Sequence, residues 1–249
     1  ARTLPSTLYN GLIAPVVQYG IKGAIWYQGE SNQGSHSDEY AKYFTTMIKE
    51  WRTLWGQGDF PFYYAQLAAF NNPNKEPIDN DGWVTVCDEQ RKTLTLINTG
   101  MAVLNDIGEA KDIHPKNKID AGKRLSLWAL KNDYRKPIKV CSGPLYKSHK
   151  VDAAKVIIEF DSIGSGLMVA TKHLMDAPVE SQEPLARFQI KGSDGAWKWG
   201  VAKIVGKTVE VSHSDITEPV AVRYAWSKNP EGANLYNKEG LPASVFKTD

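Results

Sequence analysis

Ile21-Lys22-Gly23-Ala24-Ile25-Trp26-Tyr27-Gln28-Gly29-Glu30-Ser31-Asn32 decides how the rest of the chain is read. Residues 21–26 are the short apolar run of a buried strand, and they break into Gly29, Glu30, Ser31 and Asn32, which favour a turn. Upstream, residues 7–19 place Leu8, Leu12, Pro15, Val16 and Tyr19 near helical spacing, with Pro5 suited to the position before a helix. Downstream, Asp38 can cap a helix whose apolar residues Tyr40, Phe44, Met47, Ile48, Trp51, Leu54 and Trp55 recur at three- and four-residue steps until Gly56 and Gly58 stop it.

The alternation continues. Residues 62–68 read as a strand and residues 71–82 as a long polar loop with Pro73 and Pro77, of a length that often carries function. Residues 84–98 read as helix, 101–104 as strand and 118–130 as helix. Strand and helix joined by short connections imply a parallel sheet covered on both faces. From Ile138 the period changes to two. Residues 156–160, 208–211 and 220–226 read as strands, the last with Val220, Val222, Tyr224 and Trp226 on one face, separated by turns such as Gly192-Ser193-Asp194-Gly195. The chain therefore divides into residues 1–137 and a β-rich region, 138–249.

The 249 residues suffice for a large core, and a net charge of +2 with no basic run gives no reason to expect a nucleic-acid partner. No stretch approaches the apolar length of a membrane span. Ala1-Arg2-Thr3-Leu4-Pro5 shows no signal-peptide pattern, and the chain reads as starting in mid-domain. Cys87 and Cys141 fit no metal motif; they read as two buried free thiols, with one disulfide between them as the alternative.

Of the five histidines, His114 alone falls in a loop at the carboxyl end of an expected parallel strand, where open α/β sheets place their sites. Pro115 keeps His114 extended, and Asp112, two residues away, can fix the imidazole tautomer. The plainer role for this stretch is a helix start, with Asp112 or Asn117 as the cap. In the first loop, Gln28 and Asn32 can donate side-chain hydrogen bonds to a carbonyl oxygen and the Gly29 N–H can add another; the plainer role is a turn. A base, carboxylates and amide donors are the parts of acyl transfer. A nucleophile is not evident: Ser31 has Gln33 where the second glycine of a Gly-x-Ser-x-Gly elbow belongs, and no cysteine stands in a nucleophile setting. There is no phosphate-binding glycine loop and no His-Glu-x-x-His metal helix.

The runs Leu8-Tyr9-Asn10-Gly11-Leu12-Ile13-Ala14-Pro15 and Lys22 through Asn32 resemble the sialate O-acetylesterases, which are SGNH-type carbohydrate esterases. So do Asp112-Ile113-His114-Pro115-Lys116-Asn117-Lys118, Val222-Arg223-Tyr224-Ala225-Trp226 and Asn234-Leu235-Tyr236-Asn237-Lys238-Glu239-Gly240-Leu241-Pro242-Ala243. The resemblance covers nearly the whole chain. It implies an α/β fold, an SGNH-hydrolase-like three-layer α/β/α parallel sheet present in part, followed by a small antiparallel β domain. It also implies cofactor-free, metal-free removal of O-acetyl groups from sialic acids or related glycans by a serine acyl-enzyme. Under it His114 is the general base, Asp112 or Glu30 orients it, and Gln28, Gly29 and Asn32 hold the oxyanion or acetyl group. The family's serine block has no counterpart here, so the chain is expected to be the C-terminal part of such an enzyme, with the serine on an upstream segment or partner chain. A secreted, periplasmic or lysosomal location is expected with it. Two other expectations stand beside this one: Ser31 as the nucleophile, and a non-catalytic carbohydrate-binding module presenting Trp197 and Trp199 as stacking platforms.

Overall fold

Phe62–Ala65, four consecutive buried residues, form the central strand β2 of a parallel sheet, between β1 (Ala24–Trp26) and β3 (Thr99–Ala102) in the order β1-β2-β3. The computed structural model describes residues 4, 6–79 and 81–249, so the expectation for Pro5 lies outside the described residues. Alternate side chains leave β2 and β3 on opposite faces, which sets the layers. Phe62, Tyr64, Met101 and Val103 pack with α1 (Tyr40–Trp55) and α2 (Gly82–Lys92), whereas Tyr63, Ala65, Ala102 and Leu104 face α3 (Lys118–Asn132).

Each helix ends where its sequence supplies an ending. Tyr40, Phe44 and Ile48 form the buried stripe of α1, and Arg52 extends it by donating to the carbonyls of Phe60, Ile97 and Asn98. Gly56, at φ 62°, closes the helix. Asp81 caps α2 by accepting from the Trp83 N–H (2.9 Å), and Asn117, not Asp112, caps α3 by accepting from the Asp120 N–H (3.0 Å). Asp38 does not cap α1: it lies in a 3₁₀ turn, Ser37–Glu39, that runs into the helix. The expected helix at 84–98 is α2 followed by the 3₁₀ turn Thr93–Thr95. Residues 7–16 are helical as expected, in an α-helical start at 7–8, a π-helical segment (Tyr9–Ile13) and a 3₁₀ turn (Ala14–Val16). Leu8, Leu12, Val16 and Tyr19 are all exposed, so the apolar stripe of this helical run is not buried among the described residues.

Beyond the parallel sheet all strands pair antiparallel: β4 (Leu145–Asp152), β5 (Lys155–Asp161), β6 (Leu167–Thr171), β7 (Val179–Glu180), β8 (Phe188–Gly192), β9 (Trp197–Trp199), β10 (Val201–Val205), β11 (Thr208–Ser212), β12 (Pro219–Tyr224), β13 (Leu235–Asn237) and β14 (Phe246–Lys247). They form sheets ordered β10-β11-β5-β4, β14-β12-β8-β9 and β13-β6-β7. The expected one-faced stripe of β12 is broken at its start. A register shift between Pro219 and Ala221 turns Val220 outward, while Val222 and Tyr224 stay buried. One apolar cluster runs from Phe44, Phe62 and Trp83 into Val156, Ile158, Phe188, Val211 and Phe246, so the two regions share a core. Cys87 and Cys141 are free and buried. Among the described residues, no helix is long and apolar enough to cross a membrane.

Candidate active site

Three loops leave the carboxyl ends of β1, β2 and β3, the edge of an open α/β sheet where ligands bind. The β1 loop carries Gln28, Gly29, Glu30 and Asn32. Gln28 is fixed at both ends of its amide: Nε2 donates to Asn32 Oδ1 (2.8 Å), and Oε1 accepts from the Tyr40 hydroxyl (3.2 Å). Among the described residues the second Gln28 N–H and the Asn32 amide nitrogen have no acceptor and remain to serve an outside one. Beneath them the buried Gln90 side chain ties two loops together. Its Oε1 accepts from the Leu67 N–H (2.9 Å) and its Nε2 donates to the Gln28 carbonyl (3.1 Å).

Gly29 sits at φ 146°, ψ −13°, and a Cβ there would lie 3.2 Å from Gln90 Nε2 and 3.3 Å from Leu67 and Val86. Both backbone and space require glycine. Gly29→Ala is expected to cost about 1–3 kcal/mol, read as a shift in urea midpoint, and to move the Gln28–Asn32 amide pair.

The β3 loop carries the histidine. Gly108 lets this loop pass against the backbone of Ala69, where a Cβ would fall 1.9 Å from the carbonyl oxygen. Glu109 pairs with Phe70 and Asp112 as β-bridges, and its carboxylate accepts from the Lys116 N–H (2.9 Å). Asp112 Oδ1 accepts from the His114 N–H (2.9 Å) and lies 3.6 Å from His114 Nδ1. That separation is an ion-pair distance and longer than a hydrogen bond. Glu30 forms no ion pair among the described residues. Its charge instead adds to burial in pushing the Tyr27 hydroxyl up to about 12, which keeps Tyr27 a neutral phenol. The imidazole of His114 is 84% exposed. With β2 between them, the amide-bearing and histidine-bearing strands stand two strand spacings apart, about 10 Å.

Beside the histidine loop lies a cavity of about 380 Å³. Asn105, Asp106, Ala110, Lys172, Asn229 and Tyr236 are among the residues that line it. Two of them belong to a buried network: Asp106 takes two bonds from Arg124 (2.5 and 2.7 Å) and one from the Tyr236 hydroxyl (3.1 Å). Trp197 and Trp199 lie elsewhere and are not open platforms. Both are half-buried, the Arg223 guanidinium sits 4.0 Å over Trp197, Arg187 lies over Trp199, and Trp199 Nε1 donates to the Lys75 carbonyl. Among the described residues no His, Cys, Asp and Glu cluster could hold a metal ion.

Sequence reasoning missed Gln90, Glu109 and the Asp106–Arg124–Tyr236 network. A detectable signal was Gln90 itself, an amide one turn beyond the apolar run Trp83, Val84, Val86 and Cys87 of the same helix. An ester carbonyl at this edge would meet amide donors from one loop and an imidazole backed by a carboxylate from another.

Residues 5–128 match the family described as carbohydrate esterase, sialic acid-specific acetylesterase. The sialate O-acetylesterase of Mus musculus is 29% identical over 267 residues, covering 98% of this chain and 47% of that protein. The Homo sapiens sialate O-acetylesterase is 28% identical, covering 97% and 48%. A crystal structure of a carbohydrate acetylesterase from Xanthomonas citri superposes with a TM-score of 0.89 at 39% identity, covering 99% of this chain and 54% of that one. The chain thus spans about half the length of the curated relatives it matches.

Proposed function

We propose that this chain, similar to the sialic acid-specific acetylesterase family of carbohydrate esterases, supplies the histidine side of a serine O-acetylesterase acting on acetylated sialic acids or related glycans. The observation that carries this is the placement of a Gln28–Asn32 amide pair and an Asp112–His114 pair on loops from one edge of one parallel sheet. In the proposed reaction His114 takes the proton of a serine hydroxyl as that oxygen attacks the acetyl carbonyl. Asp112 stabilises the resulting imidazolium, and Gln28, Asn32 and the Gly29 N–H hold the oxyanion. The protonated His114 then donates to the leaving sugar oxygen, and a water activated by the same imidazole releases acetate.

The serine is assigned to polypeptide outside these 249 residues, on an upstream segment or a partner chain. Two features support this. The outer edge of β1 is unpaired among the described residues, and Ile25 in its middle is 72% exposed. A groove of about 430 Å³ opens beside it, lined by Ala24, Ile25, Tyr63, Leu125, Ala129 and Tyr134. Parallel sheets are normally covered on both faces, so this surface suits a further strand and helix. A secreted, periplasmic or lysosomal site of action goes with glycan substrates.

Labelling the native, purified material with a serine-directed phosphonate and measuring intact masses tests the assignment. An adduct is expected on upstream polypeptide. An adduct on this chain would move the nucleophile to Ser31, which lies exposed in the 3₁₀ turn Glu30–Asn32. No adduct on material that releases acetate would remove the serine mechanism.

A further inference from the structure

The β1 loop is held from beneath by Gln90 and from outside by a residue far along the chain. Lys228 follows β12 in the antiparallel region, yet its main chain is built into the sheet edge: its N–H donates to Asp81 Oδ2 (2.8 Å) and its carbonyl accepts from the Phe70 N–H (3.0 Å). Its ammonium lies over two aromatic rings, 5.3 Å from the Phe70 centroid and 5.1 Å from that of Trp83. Among the described residues this ammonium forms no ion pair. Its polar bond is to Gln33 Oε1, at 2.6 Å, across 195 positions of sequence.

Gln33 is the residue that ends the Glu30–Asn32 turn, and it is held on two sides. Its backbone lies against Gly82, where a Cβ would fall 1.9 Å from the Gln33 carbonyl oxygen. Its side chain is taken by Lys228. Ser31, Asn32 and Gln33 are themselves exposed, so the turn has little buried surface of its own to keep it in place. A charge-assisted bond from an ammonium already fixed over two rings is the kind of support such a turn lacks.

We propose that Lys228 is a positioning residue. By fixing Gln33, it holds the turn that carries the Gln28–Asn32 amide pair, and so lets the antiparallel region set the geometry of the candidate oxyanion donors. Its part in catalysis rests on the esterase function proposed above. Its mechanical part does not.

The test has two arms. In the first, hydrogen exchange is followed on this chain with Lys228→Met, which keeps the stem over Phe70 and Trp83 and removes the charge. Exchange at residues 30–33 is expected to rise about tenfold while β2 and β3 stay protected, and Lys228→Arg should stay within about twofold of wild type. In the second, the full-length enzyme is assayed on a neutral acetyl ester and on a carboxylate-bearing one. Lys228→Met is expected to lower kcat about tenfold with KM unchanged, Gln33→Leu to do the same, and the double variant to lose no more than either alone. Unchanged exchange at 30–33 overturns the proposal. So does a loss confined to KM for carboxylate-bearing substrates, which would make Lys228 a substrate-binding cation. A wild-type enzyme that fails to cleave acetyl esters overturns the esterase function and leaves the exchange arm to judge Lys228 by itself.

Discussion

His114→Ala in the full-length enzyme is expected to lower acetate release by about two orders of magnitude or more, the contribution of a well-placed general base. The same substitution should change stability by less than about 0.5 kcal/mol, because the ring is 84% exposed and its described polar contact is with the half-exposed Asp112. Activity lost without stability lost separates chemistry from folding; activity retained would remove His114 as the base. The orienting carboxylate is decided by a matched pair of variants. Asp112 lies 3.6 Å from the ring and Glu30 forms no ion pair among the described residues, so Asp112→Asn should lose far more activity than Glu30→Gln. A loss of about 10²–10⁴ is reasonable for a carboxylate that sets the tautomer. Equal losses, or a larger one for Glu30→Gln, would transfer the role to Glu30.

Arg124→Met should have the largest effect on stability, about 3–5 kcal/mol in urea unfolding of this chain, because it leaves Asp106 buried without its counter-charge. Arg124 donates to the Val103 carbonyl and to both oxygens of Asp106, and both side chains are nearly inaccessible. Asp106 also accepts from Tyr236 on β13, so the network joins the exit of β3, the helix α3 and the antiparallel region. Burial works against the charged guanidinium, but Asp106 outweighs it and the pKa of Arg124 is held above its ordinary value. A raised pKa on a cation gives stability that is full below the unfolded-state value, which for a guanidinium lies far above neutral pH, so the loss should be the same at about pH 6 and pH 9. Adding Asp106→Leu to Arg124→Met should recover part of the loss, since the stranded charge is gone. A single-variant loss below about 1 kcal/mol would show that the network does not bear on folding, and no recovery in the pair would show that the loss does not come from a stranded charge.

Much of this protein is local and was legible as such. Buried-strand runs and three-and-four spacing placed β1, β2, β3, α1 and α3 to within a few positions and found α2 with its end six residues too far on, because each pattern is set by neighbours along the chain. The same logic put Gln28–Asn32 and Asp112–His114 in loops after strands. It failed where local preference met no partner or the wrong one. The stripe at 7–19 is helical over 7–16 yet stays exposed and passes into π and 3₁₀ geometry, and the bulge at Pro219/Ala221 turns Val220 out. Three-dimensional structure alone decided that Asp112 and not Glu30 stands beside His114, that Gln90 braces the β1 loop, and that Lys228 reaches Gln33. It also decided that Asp106, Arg124 and Tyr236 meet, and that one face of β1 lies open. Apart from Asp112 beside His114, those contacts join residues 18 to 195 positions apart, and periodicity carries no information about which distant surfaces packing will press together.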